Sequence, residues 1–121
     1  MIKQISLAIT VVVVLGSVGV SHQRGCWTNW FNDDSPRGTG DHETFPQLWG
    51  RHPAEICEHP MGIEAETTTG IPAEKTGQKL NTYSKEDGLI CLNKEQKSGS
   101  CFDYKVRFEC ECPRQQCLEN C

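Results

Sequence analysis

The clearest periodicity in the chain is CFDYKVRFECEC, residues 101–112. Phe102, Tyr104, Val106, Phe108, Cys110 and Cys112 fall on one parity, and Asp103, Lys105, Arg107, Glu109 and Glu111 on the other. Successive side chains of a strand point to opposite faces, so this stretch predicts a long half-buried strand, apolar inward and charged outward. Cys110 and Cys112 then share the inner face and are expected to bond to other segments rather than to each other. MGIEAET alternates in the same way, Met61, Ile63 and Ala65 against Glu64 and Glu66, and predicts a second strand. QKLNTYS is a weaker strand pattern and LICLN a stronger one, separated from their neighbours by the turns KEDG and KEQKSGS. Three such strands in succession predict an antiparallel meander.

Helical spacing occurs once. In DHETFPQLWGRHP, Phe45, Leu48 and Trp49 share a face at intervals of three and four, with Asp41 or Thr44 as cap and Gly50 and Pro53 as stops. Residues 26–31 form an aromatic knot of Trp27, Trp30 and Phe31, and residues 32–42 read as a loop broken by Pro36, Gly38 and Gly40. TTTGIPAEKTG reads as a second loop. The first residues have another logic: Lys3, then the uncharged run ISLAITVVVVLGSVGV, then Gly19 and Ser21 before His22. That order predicts a secretory signal peptide over 1–21 and a secreted, extracellular product with no membrane contact after cleavage. Residues 22–121 are expected to form one domain, with a core over about 26–112 and a cysteine-containing tail over 113–121. The expected fold class is a small disulfide-rich, mainly-β domain, an antiparallel meander or sandwich with one short helix.

Composition sharpens this picture. Removing Lys3 with the signal peptide leaves 11 basic against 16 acidic residues, a net charge of −5. An acidic secreted chain argues against nucleic acid as a partner. Aliphatic residues are scarce after residue 22, so the core is thin. All eight cysteines, Cys26, Cys57, Cys91, Cys101, Cys110, Cys112, Cys117 and Cys121, lie in the secreted part. An even count in a short secreted chain predicts a disulfide framework, whose 105 pairings the sequence leaves open. ECECPRQQCLENC has no zinc-finger spacing, and oxidation is the expected state.

The acid-rich set Asn32, Asp33, Asp34, Asp41 and Glu43 lies on the Pro/Gly-broken loop. Hard oxygen ligands on such a loop suit calcium, which takes six to eight oxygens in flexible geometry. Pro36 and Arg37 exclude an EF-hand counted from Asn32. The expected side-chain ligands are Asn32, Asp34, Asp41 and Glu43, and the competing reading is a solvated acidic loop. The histidines, His22, His42, His52 and His59, accompany no nucleophile motif, so no catalytic site is expected. Asn29, Asn32, Asn81, Asn93 and Asn120 all lack the third residue of an N-glycosylation sequon. In a thin-cored domain at least one of Trp27 and Trp30 is expected in the core, anchoring the start of the acidic loop.

CWTNWF, GDHET, CEHPMGIEA, TGQKL, GLIC and YKVRFECEC follow one another in this chain. That series resembles the WxxW domain, the cysteine-rich module of gel-forming mucins and cartilage intermediate layer proteins, over about residues 26–112. The resemblance implies a noncatalytic structural or interaction module of mucus or extracellular matrix. It implies calcium as the cofactor, and extracellular proteins or mucin-type glycoproteins as partners, self-association among them. WxxW also resembles an acceptor for C-mannosylation, which would make the chain a glycoprotein modified on Trp27. The mucin modules carry cysteines where this chain has Ala65 and Thr82. Loss of one bridge would explain both, and would place the two residues on neighbouring strands. Two rival functions remain. A secreted carbohydrate-binding or immune recognition module would stack sugar on Trp30 or Trp49. A secreted inhibitor or toxin-like effector would use a rigid loop within 66–79.

Overall fold

The computed structural model describes residues 25–113. The expected signal peptide and the cysteines Cys117 and Cys121 lie outside them. Six strands and one α-helix follow in the order β1 (Gly25–Trp27), β2 (Gly40–Thr44), α1 (Phe45–Arg51), β3 (Gly62–Thr67), β4 (Thr82–Ser84), β5 (Gly88–Leu92) and β6 (Tyr104–Glu111). They form two antiparallel sheets of three strands, β1-β6-β3 and β2-β5-β4. The fold class is thus the expected one, but the meander is not. β4 and β5 pair as a hairpin, whereas β6 leaves them for the other sheet and inserts between β1 and β3.

β6 keeps the alternation read from its sequence. Tyr104, Val106 and Phe108 are fully buried, with Leu89 and Cys91 of β5, Ala65 of β3 and Leu48 of α1 in the same core. Phe102 breaks the pattern: it is 46% exposed, because the strand begins only at Tyr104. The chain beyond β1 stays beside β6 as far as Phe31, whose N–H donates to the Val106 carbonyl at 2.7 Å and whose carbonyl accepts from Val106 N–H at 2.9 Å. Phe31 is therefore the aromatic residue that anchors the following loop in the core.

α1 presents the expected face, with Leu48 buried and Phe45 and Trp49 packed against the core. Thr44 occupies the cap position, but its hydroxyl goes to Gln47 instead of a backbone N–H, and Gly50 does not stop the helix. β2 departs most from expectation, running as a strand through residues assigned to a loop and a cap. Ala65 and Thr82 are not on neighbouring strands; β3 and β4 belong to different sheets.

Three disulfides staple this frame: Cys26–Cys112, Cys57–Cys110 and Cys91–Cys101, closing sequence separations of 86, 53 and 10 residues. Cys110 and Cys112 bond to other segments, as their shared parity requires. No helix among the described residues is long and apolar enough to cross a membrane.

Candidate functional site

β2 puts acids where a strand normally puts aliphatic side chains. Asp41 is fully buried and Glu43 is 1% exposed. Among the described residues neither takes part in an ion pair, nor do Asp34 and Asp103. Backbone N–H groups hold them instead. The Glu43 carboxylate accepts from Asp33 and Asp34, both at 3.0 Å, and one Asp41 oxygen accepts from Tyr104 N–H at 2.6 Å. The Asp34 carboxylate accepts from His42 N–H at 2.8 Å. The other Asp41 oxygen, Oδ1, is buried without a hydrogen-bond partner.

Burial raises the proton affinity of both acids. Asp41 moves from its ordinary 3.8 to about 7, chiefly by desolvation; the Tyr104 N–H opposes this, and the charges of Asp103 and Asp34 add to it. Glu43 moves from 4.5 to about 8, again mainly by desolvation, against the two N–H donors and with the Asp41 charge adding. Buried charges of one sign persist only when protonated, paired or bound to a cation.

Asn32 lies at the centre of the acids. One polar atom of its amide faces four oxygens: the Asp34 carbonyl at 2.6 Å, Glu43 Oε2 at 3.1 Å, and the Tyr104 carbonyl and Asp103 Oδ1, each at 3.2 Å. If that atom is nitrogen, its two protons face four acceptors. If it is oxygen, five oxygens converge, and a cation is what satisfies them. No three His, Cys, Asp or Glu side chains among the described residues gather closely enough to hold an ion by themselves. The converging set mixes an amide, two carboxylates and two backbone carbonyls, a hard-oxygen mixture that suits calcium.

Each expected ligand therefore has a definite place. Asn32 and Glu43 reach the cluster through their side chains. Asp34 reaches it through its carbonyl, its carboxylate being taken by His42. Asp41 is not among the groups that face Asn32; its Oδ1 is buried without a partner, and it feels the charges of Asp103 and Asp34. Asp33 points away, toward His52 at 2.9 Å and Arg51 at 3.5 Å. Sequence reasoning missed Asp103 and the Tyr104 carbonyl. The only signal was that Asp103 sits at the start of the strongest strand, where parity assigned it to solvent.

The two tryptophans that precede the cluster do not enter the core. Trp27 is 37% exposed and Trp30 half-buried. The Arg107 guanidinium lies between their rings, 4.8 Å from one centroid and 4.7 Å from the other, and Lys105 stands 5.1 Å over Trp30. Arg107 also donates twice to Glu64 Oε1, at 2.8 and 2.6 Å. The core expectation fails because the outward positions of β6 supply cations, and an indole face holds a cation as readily as it packs on an aliphatic.

A family profile described as the mucin-2 protein WxxW repeating region matches residues 27–110. Cartilage intermediate layer protein 1 of Homo sapiens is 42% identical over 87 residues, 71% of this chain and 7% of that protein. Mucin-5AC of Homo sapiens is 36% identical over 99 residues, 78% of this chain and 2% of that protein. Mucin-2 of Homo sapiens is 32% identical over 101 residues, 76% of this chain and 2% of that protein. The chain thus spans less than a tenth of each of these relatives.

Proposed function

This chain belongs to the mucin-2 WxxW family, and from that premise we propose that it works as a noncatalytic, calcium-stabilised module of mucus or extracellular matrix. The family's relatives are mucins and cartilage proteins, which supports an extracellular structural role. The observation that carries the calcium reading is the set of four oxygens, from Asp34, Glu43, Asp103 and Tyr104, gathered around one amide atom of Asn32, together with the buried and unpartnered Asp41 Oδ1. Asn32, Glu43 and Asp103 would bind through side chains, Asp34 and Tyr104 through carbonyls, and Asp41 through Oδ1. The ion would supply charge neutralisation and a fixed geometry.

The protein's own residues do the rest. Phe31 fixes the entrance of the loop, the N–H groups of residues 33 and 34 orient Glu43, and Tyr104 N–H orients Asp41. Partners of such a module would be extracellular proteins or mucin-type glycoproteins, a second copy included. Trp27 would carry a C-linked hexose; its position on the outer sheet face keeps it near solvent, which supports this reading.

Thermal unfolding in a chelator and in millimolar calcium tests the metal claim. The melting temperature should rise with calcium in the parent protein and stay flat in Asn32→Ala and Asp103→Ala. A parent protein indifferent to calcium in both melting temperature and Trp emission would remove the ion from the proposal. Intact mass of the reduced, secreted chain tests the hexose.

A further inference from the structure

Besides the tryptophans that Arg107 contacts, α1 presents a second aromatic pair. Phe45 and Trp49 are one turn apart, so they share a face. Their rings lie 8° from parallel with centroids 6.3 Å apart. Both line a cavity of about 490 Å³, together with Glu58, His59, Lys85 and Glu86. That volume lies in the usual range of small-molecule clefts, roughly 300–1,000 Å³. Trp27 and Trp30 differ from this pair in that Arg107 stands over both rings and Lys105 over Trp30.

We propose that this cavity binds a neutral hexopyranose. An aromatic lining suits the apolar C–H face of a sugar ring, and the polar lining residues supply what its hydroxyls require: two carboxylates to accept, and an ammonium and an imidazole to donate. Glu58 and His59 approach only loosely, at 3.9 Å, and are largely exposed, so both can turn to a ligand. A purely apolar ligand would desolvate those groups without returning hydrogen bonds. An anionic sugar would meet two acids on a chain of net charge −4. None of these residues belongs to the oxygen cluster, so the site should act with or without calcium.

NMR titration of the ¹⁵N-labelled full chain tests the proposal, with methyl β-galactoside, N-acetylglucosamine and glucuronate as probes in calcium buffer and in chelator. At least one neutral sugar should shift the Trp49 indole N–H and the amides of residues 58–59 and 85–86 saturably. The dissociation constant should lie in the millimolar range usual for a single small polar ring, on the order of −4 kcal/mol. The Trp27 and Trp30 indoles should not move. Glu86→Gln, an exposed change that leaves the fold intact, should weaken binding severalfold. No saturable shift with either neutral sugar, shifts centred on Trp27 or Trp30, or tighter binding of glucuronate would each overturn the inference. Loss of binding in chelator would overturn its independence from the metal.

Discussion

Asp41 and Glu43 set the pH behaviour of the molecule. Both carboxyls are raised above their ordinary values of 3.8 and 4.5, to about 7 and about 8. In the absence of a cation the folded state therefore binds more protons than the unfolded state between about pH 4 and 8. Stability from these groups is fully present below the unfolded values and falls as pH rises through 7 and 8. Calcium bound as proposed would reverse the sign, because it would favour the ionised form. In chelator the melting temperature should therefore be higher at pH 5 than at pH 8.5. In calcium the gap should shrink or invert, and calcium binding in weak buffer should release protons. A chelator profile that is flat or rises with pH would show that burial does not raise these two carboxyls in the fold. Asp41→Asn tests both roles: it removes the titration, so the chelated protein should become less pH-dependent, and its single oxygen cannot both accept from Tyr104 N–H and face the ion, so the response to calcium should weaken.

At the scale of elements, β2 explains why half of the site was readable and half was not. GDHET does alternate, but the inward residues are acids, so a search for apolar alternation passes over it. Local pattern and final structure disagree here because the site demands charge inside. The loop residues Asn32 and Asp34 stood out as candidates because oxygen ligands and turn residues coincide in sequence, although Asp34 faces the cluster through its carbonyl and not through the expected carboxylate. Asp103 was not, since only the crossing of β6 into the other sheet brings it beside residues about sixty positions earlier. β2 also depends on Gly88, the first residue of β5. Gly88 has φ +86°, and a Cβ there would overlap the Glu43 carbonyl oxygen and Phe45 N. Gly88→Ala should destabilise by about 1–3 kcal/mol, read as a drop in melting temperature, and should weaken calcium binding because Glu43 must shift. On the opposite sheet, Arg107→Lys keeps the charge but loses the planar group between the rings and the double donation to Glu64. A cost of about 1 kcal/mol is expected, tempered by partial exposure, with a clear change in Trp emission.

At the scale of the whole molecule, the two sheets are fastened unequally. Cys57–Cys110 closes on β6 of the first sheet and Cys26–Cys112 ties β1 to the residue just past β6, while Cys91–Cys101 ties the end of β5 to the segment leading into β6. Loop-closure entropy values the longest of these at about 4–5 kcal/mol and the shortest at about 2.5–3 kcal/mol. The oxygen cluster draws on the loop after β1, on β2 and on the start of β6, so an ion there would link the second sheet to the first where, among the described residues, the short bridge is the one covalent tie. Binding at a hundredfold excess over the dissociation constant contributes about 2.7 kcal/mol, the same order as that bridge. The two fasteners should therefore compensate for one another. The double variant Cys91→Ala/Cys101→Ala in saturating calcium should melt near the parent protein in chelator, somewhat lower because Cys91 is fully buried and its truncation leaves a cavity. In chelator the double variant should lose hydrogen-exchange protection in β2, β4 and β5 before β1, β3 and β6. Uniform loss of protection across both sheets would show that the second sheet does not depend on the ion for its attachment.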